Sequence, residues 1–232
     1  MKIYLHIGAG KCGSSALQSY FSYNSDFTYR KCYAIIGIDG TISTGESILR
    51  TAKTNAFDYA SSASFNNSSN ENLFISNFRS SLDKLSTDYD EVLFSNEGWL
   101  EESQNFLEKS PIFENHIVEV IFIVRPPVEW INSAWWQWGQ WGQWGKGNLN
   151  GWIHAQLSKT QWIDYYNKWN SLQFVSKVHT YSLSSDILKE LSRLIEFKYS
   201  SSPQRHNNSS DYRLLRFFKL ARSLRKNEHT PN

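Results

Sequence analysis

The opening segment, "MKIYLHIGAGKCGSSALQSYF", constrains this chain more than any other. Lys2–Ile7 alternates in polarity and then meets Gly8, which predicts a buried strand entering a loop. Ser14–Tyr23 follows with helical spacing. Strand, glycine-containing loop and helix, in that order, open a phosphate-binding βα unit. The glycines let backbone N–H groups converge, and the helix N-terminus adds the positive end of a dipole. Lys11 adds a full charge, and Ser14 and Ser15 add hydroxyl donors. Gly10, Lys11, Cys12, Gly13, Ser14 and Ser15 are therefore the candidate cradle for a compact anion. The alternative is a βα turn that holds nothing.

This is not the nucleotide triphosphatase loop. That pattern, GxxxxGK[ST], places its lysine directly after the last glycine. Here Lys11 precedes Gly13 by two positions.

Further along, Tyr33–Ile38, Glu91–Phe94, Val118–Val124 and Lys177–Tyr181 read as strands. Helical patterns cover Leu73–Leu85, Trp99–Leu107, Trp152–Trp169, Ser184–Ile195 (capped by Ser184 or Ser185) and a basic Tyr212–Leu224. Residues 61–70, "SSASFNNSSN", are expected to be a surface loop, 196–209 irregular and 225–232 a frayed tail. Alternating strands and helices imply an α/β fold, a three-layer sandwich with a mostly parallel central sheet flanked by helices. A chain of 232 residues suits a single such domain, 1–232.

The net charge of +2 does not suggest a nucleic-acid partner, which would call for a basic excess or stripe. Two cysteines, Cys12 and Cys32, are few for a disulfide scaffold, so free thiols in a reducing compartment are expected. No apolar run reaches the length of a transmembrane helix, and the N-terminal run is too short for a signal peptide. Together these give a cytoplasmic expectation.

Two other strand ends carry chemistry. Val118–Val124, "VEVIFIV", stops at "RPP", and Pro127 suits the first turn of a helix bearing Trp130 and Ser133. A guanidinium such as Arg125 grips phosphate bidentately, and the Ser133 hydroxyl one or two turns on can reach the same group. The plainer reading pairs Arg125 with Glu129. At the end of Glu91–Phe94, "FSNEGWL" offers Glu97. A carboxylate there can take the proton of an attacking hydroxyl, or can serve only as a helix N-terminal acid. His6 is a rival base, although its place before the glycines favours packing beneath the loop.

These segments resemble those of sulfotransferases that use 3′-phosphoadenosine 5′-phosphosulfate (PAPS). Their loop reads roughly H-x-G-x-x-K-T-G-[ST]-[ST]-x-L-Q, matched at His6, Gly8, Lys11, Gly13, Ser14, Ser15, Leu17 and Gln18, with Cys12 in place of Thr. Their second motif, R-[ND]-P-x-[DE]-x-x-x-S-x-[YW], is matched at Arg125, Pro127, Glu129, Ser133 and Trp135, with Pro126 in place of Asn. Ser95 and Glu97 fit the S-x-E segment of glycan sulfotransferases, and "RHNNSSDYRLLRFF" (205–218) is a weaker echo. The resemblance implies a P-loop-like sheet and a sulfuryl transfer from PAPS to a hydroxyl or amine, leaving adenosine 3′,5′-bisphosphate. It implies Lys11 and Glu97 as catalytic residues, Arg125 and Ser133 on the 3′-phosphate, and no metal. A P-loop kinase and a non-catalytic carbohydrate-binding protein remain alternatives.

Nine of the ten tryptophans fall between Trp130 and Trp169, around a QWG triplet repeat at 137–145. Three glycines in that repeat oppose a helix, so the helix from Pro127 is expected to end near Trp138. Trp138, Trp141 and Trp144, flanked by glutamines, suit the faces of sugar rings in a carbohydrate acceptor. Packing against Trp152, Trp162 and Trp169, or a protein interface, would use the same residues.

Overall fold

The computed structural model describes residues 1–25, 27–66, 71–139, 149–184 and 186–199. The expectations for 67–70, Trp141, Trp144, Ser185 and 200–232 lie outside these. The described residues form two compact units, one from 1–124 with 163–199 and the other within 125–162.

The first unit holds a six-stranded sheet in the order β3-β2-β4-β1-β5-β6. Its strands are β1 (Lys2–His6), β2 (Lys31–Ile36), β3 (Ile42–Thr44), β4 (Glu91–Ser95), β5 (Ile117–Val124) and β6 (Val175–Ser182). All pairings are parallel except β2 with β3. The chain begins at the centre, with β4 and β5 on either side of β1, and ligands of such sheets bind at the carboxyl ends beside this switch point.

Each face of the sheet is sealed by aromatic residues. On the Tyr4 and Tyr33 face lie α1 (Ser14–Tyr23) and α8 (Ile187–Ile195). The rings of Phe21 and Tyr33 stand 5.5 Å apart, and Tyr4 Oη donates to the Leu194 carbonyl. On the Phe94 face lie α3 (Glu71–Asp88) and α4 (Ser103–Glu108), where Phe78 meets Phe94 at 6.3 Å and Phe106 meets Trp169 at 5.0 Å. Trp169, near the end of α7 (Trp162–Asn170), is fully buried and donates from Nε1 to the Leu100 carbonyl. The fold is thus the expected α/β sandwich.

Several local expectations change. The polar stretch after β2 contains β3 and α2 (Glu46–Thr54), which buries Ile48 and Ala52. Residues 61–66 are not a free surface loop: Ser62 and Phe65 are each 2% exposed. The Ser62 amide donates to the Ser95 carbonyl at 3.0 Å and the Ala63 amide to the Ile36 carbonyl at 2.7 Å, knitting this segment across the ends of β4 and β2. The helix expected over Trp99–Leu107 is a 3₁₀ turn, Glu97–Glu101, followed by α4. The Ser184 hydroxyl accepts from the Asp186 amide, but α8 starts only at Ile187 and no side chain among the described residues caps it.

In the second unit, α5 (Pro127–Gln137) ends as expected, with Trp138 as its C-terminal cap. The single helix expected over Trp152–Trp169 is broken into α6 (Leu149–Gln156), a 3₁₀ turn at Leu157–Thr160, and α7. The Thr160 hydroxyl donates to the Leu157 carbonyl, a local bond that competes with helix continuation. Trp135 packs edge-on to Trp152 at 5.7 Å, and Trp130 edge-on to Trp162 at 5.9 Å. Gly139 is required by this packing, because a Cβ there would lie 2.3 Å from the Trp135 ring.

Candidate active site

β1 carries the chain to His6, and the Ile7 amide donates to the Ile121 carbonyl at 3.1 Å as the loop begins. The Cys12 amide donates to the Ala9 carbonyl, also at 3.1 Å, closing a tight turn. Lys11 (φ 67°) and Gly13 (φ 86°) are both left-handed, and Gly13 immediately precedes α1. Glycine adopts this conformation freely, whereas a residue with a side chain strains by roughly 1–2 kcal/mol. Such strain at Lys11 persists because the surrounding turn imposes it. Gly8 is constrained differently. A Cβ on it would lie 2.6 Å from Ser14 Oγ and 2.7 Å from His6 Nε2.

The loop hydroxyls diverge. Ser15 Oγ donates to Tyr59 Oη at 3.4 Å. Ser14 Oγ is buried and has no hydrogen-bond partner among the described residues, and the same holds for His6 Nε2. Cys12 is buried, so it packs within the protein. Lys11 and Gly10 stay half-exposed.

Beneath the loop, His6 Nδ1 lies 2.7 Å from Ser95 Oγ, and Gln18 Nε2 donates to that oxygen at 3.1 Å. Burial pushes the His6 pKa down to about 4, so its ring is neutral. This agrees with the expectation that His6 packs under the loop. Sequence reasoning gave Gln18 and Ser95 no role. Their available signal was a polar residue on the buried face of α1 and a serine at the end of an apolar strand.

The Asn96 amide donates to the His6 carbonyl at 3.1 Å, joining the end of β4 to the end of β1. The Asn96 side chain accepts from the Gly98 amide at 2.6 Å and donates to the Ser62 carbonyl at 2.5 Å. Glu97 follows at the start of the 3₁₀ turn. Its surface is exposed, yet enough protein surrounds the carboxylate that lost hydration raises its pKa, while the Lys11 ammonium pulls it back. The fold thus brings together two of the predicted sets, the loop and Glu97.

Arg125 and Ser133 belong to the second unit. Arg125 directly follows β5 in sequence, and its Nε lies 3.4 Å from the exposed Glu129 carboxylate, the pairing that the plainer reading foresaw. Its carbonyl accepts from Trp162 Nε1 at 2.8 Å. Ser133 is half-buried in α5. Trp138 is half-buried and stands edge-on to Trp130 at 6.4 Å.

Among the described residues, no cluster of three or more His, Cys, Asp or Glu side chains is placed to hold a metal ion. No helix among them is long and apolar enough to cross a membrane.

No protein-family model matches this chain. No curated protein matches it in sequence. Among solved structures, it is similar to the crystal structure of a sulfotransferase from Alicyclobacillus acidocaldarius. The two are 10% identical, with a TM-score of 0.48 over 95% of this chain and 92% of that one.

Proposed function

We propose that this protein is a PAPS-dependent sulfotransferase acting on a hydroxyl or amine, with a carbohydrate as the acceptor class. One observation carries the reading. A glycine-shaped anion loop with a lysine charge and a spare buried hydroxyl, Ser14, shares its field with a carboxylate, Glu97, from the neighbouring strand end. The left-handed turn at Lys11 and Gly13, leading directly into the N-terminus of α1, suits a compact anionic group.

When bound, PAPS supplies the sulfuryl group. Lys11 and the loop amides stabilise negative charge on the 5′-phosphate side. Arg125 exchanges a weak surface pair with Glu129 for the 3′-phosphate, joined by Ser133. Glu97 accepts the acceptor's proton, and its raised pKa brings it closer to the working range of a general base. Trp138, Trp141 and Trp144 offer ring faces to a sugar.

Incubation with PAPS labelled on sulfur, across a panel of glycans and small alcohols, tests this directly. Label is expected on a glycan. Transfer to small alcohols alone would revise the acceptor. Labelled phosphate transfer from Mg-ATP would replace the reading with that of a kinase.

A further inference from the structure

We infer that His6 is a positioning residue of the anion loop, held in the tautomer that carries its proton on Nε2 and presents that N–H toward Ser14. The inference rests on the reading of the loop as the donor site.

Ser95 Oγ is fully buried, and among the described residues its partners are Gln18 Nε2 and His6 Nδ1. Gln18 donates to it. A serine hydroxyl has one hydrogen to give. If His6 Nδ1 carried the proton, it too would donate to Ser95, and the Ser95 hydrogen would have no acceptor among these partners. Buried polar groups are rarely left in that state. Ser95 therefore donates to Nδ1, and the proton of the neutral ring sits on Nε2. Burial keeps the ring neutral, with its pKa near 4.

Nε2 then becomes a buried donor without a protein acceptor, beside a buried hydroxyl in the same condition. Both atoms face the position that a Gly8 side chain would fill. A chain of donors thus runs from Gln18 through Ser95 and His6 toward Ser14 at the first turn of α1. The Ser14 hydroxyl, which has no partner among the described residues either, can turn its hydrogen toward an anion held by the loop. Leaving a buried donor unmade is costly, and a bound anion relieves that cost. The donor is neutral, so the positive charge of the loop remains on Lys11.

Nitrogen NMR on protein labelled in its histidine rings reads the tautomer, and His6→Gln assigns the His6 signals. A protonated Nε2 and an unprotonated Nδ1 are expected in the protein alone, with the Nε2 signals moving when adenosine 3′,5′-bisphosphate is added. His6→Gln, which retains a donor near the Nε2 position, should hold bisphosphate affinity within about threefold, whereas His6→Asn, which reaches only the Nδ1 side, should weaken it about tenfold. A proton on Nδ1, or an Nε2 signal indifferent to a bisphosphate that binds, overturns this inference alone. Failure of the bisphosphate to bind at all overturns the donor reading and the role of His6 with it.

Discussion

The amide of Asn96 donates to the carbonyl of His6 across 3.1 Å, so the ends of β4 and β1 are fastened together where both leave the sheet. The residue after Asn96 is the carboxylate proposed as base, and the residues after His6 form the anion loop. Two motifs about 90 residues apart in sequence thereby share one electrostatic neighbourhood, in which the Lys11 ammonium lowers the proton affinity that burial raises at Glu97.

The first prediction concerns that coupling. Turnover should rise with pH as Glu97 loses its proton, with a midpoint above the ordinary carboxylate range. Removing the ammonium in Lys11→Ala disfavours the carboxylate form, so this acidic limb should move to higher pH. Glu97→Gln should lower turnover by about 10²-fold or more and abolish the limb while donor binding persists. A limb that ignores both substitutions would remove Glu97 from the role of base.

Gly8→Ala forces a methyl group within 2.6 Å of Ser14 Oγ and 2.7 Å of His6 Nε2. Both neighbours are buried side chains and must shift to admit it. A stability loss of about 1–3 kcal/mol is expected by chemical denaturation, together with lost nucleotide binding. An unchanged denaturation midpoint would mean that the loop is not packed as described.

Legibility in the sequence followed the range of the forces involved. The boundary of α1 at Ser14 and the long apolar strand β5 were readable because glycine conformation and local burial patterns set them. Residues 61–66 were misread because serine-rich composition suggests solvent, whereas Ser62 is tied to the ends of β2 and β4 and Phe65 packs against Phe106 and Trp99, contacts that no local pattern reveals. β3 has only three residues and pairs at an edge, too short for periodicity to register. At the proposed site, Lys11, Ser14 and Glu97 were singled out by their motifs. The hydrogen bonds that join Gln18 to Ser95 and Ser95 to His6 became visible only when the strands β1 and β4 were seen side by side.

The Arg125 assignment predicts a selectivity change. Its ion-pair partner Glu129 has a side chain that is 61% exposed, so that pair is weak and offers little competition to a phosphate. Arg125→Ala should weaken adenosine 3′,5′-bisphosphate by about 10- to 100-fold and leave adenosine 5′-phosphate nearly unaffected, as read by calorimetry. Equal losses for both would take Arg125 off the 3′-phosphate.

His6 also makes stability depend on pH. It stays neutral in the fold down to about pH 4, whereas an unfolded histidine protonates near 6.5. Between those values the unfolded chain holds more protons, so stability falls as pH falls, by up to about 3 kcal/mol from this residue. Denaturation of wild type and His6→Gln at several pH values isolates the effect. The variant should show a shallower decline, and parallel curves would contradict the buried neutral ring.

Titration of adenosine 3′,5′-bisphosphate against Mg-ATP tests the central claim most directly, with wild type, Lys11→Ala and Lys11→Gly compared. Lys11→Gly serves as a folded control, because glycine suits the left-handed backbone at this position. The account predicts that wild type binds the bisphosphate without a metal and that both variants bind it about 10- to 100-fold more weakly. Binding of Mg-ATP alone, or bisphosphate affinity unchanged without the lysine, would contradict it.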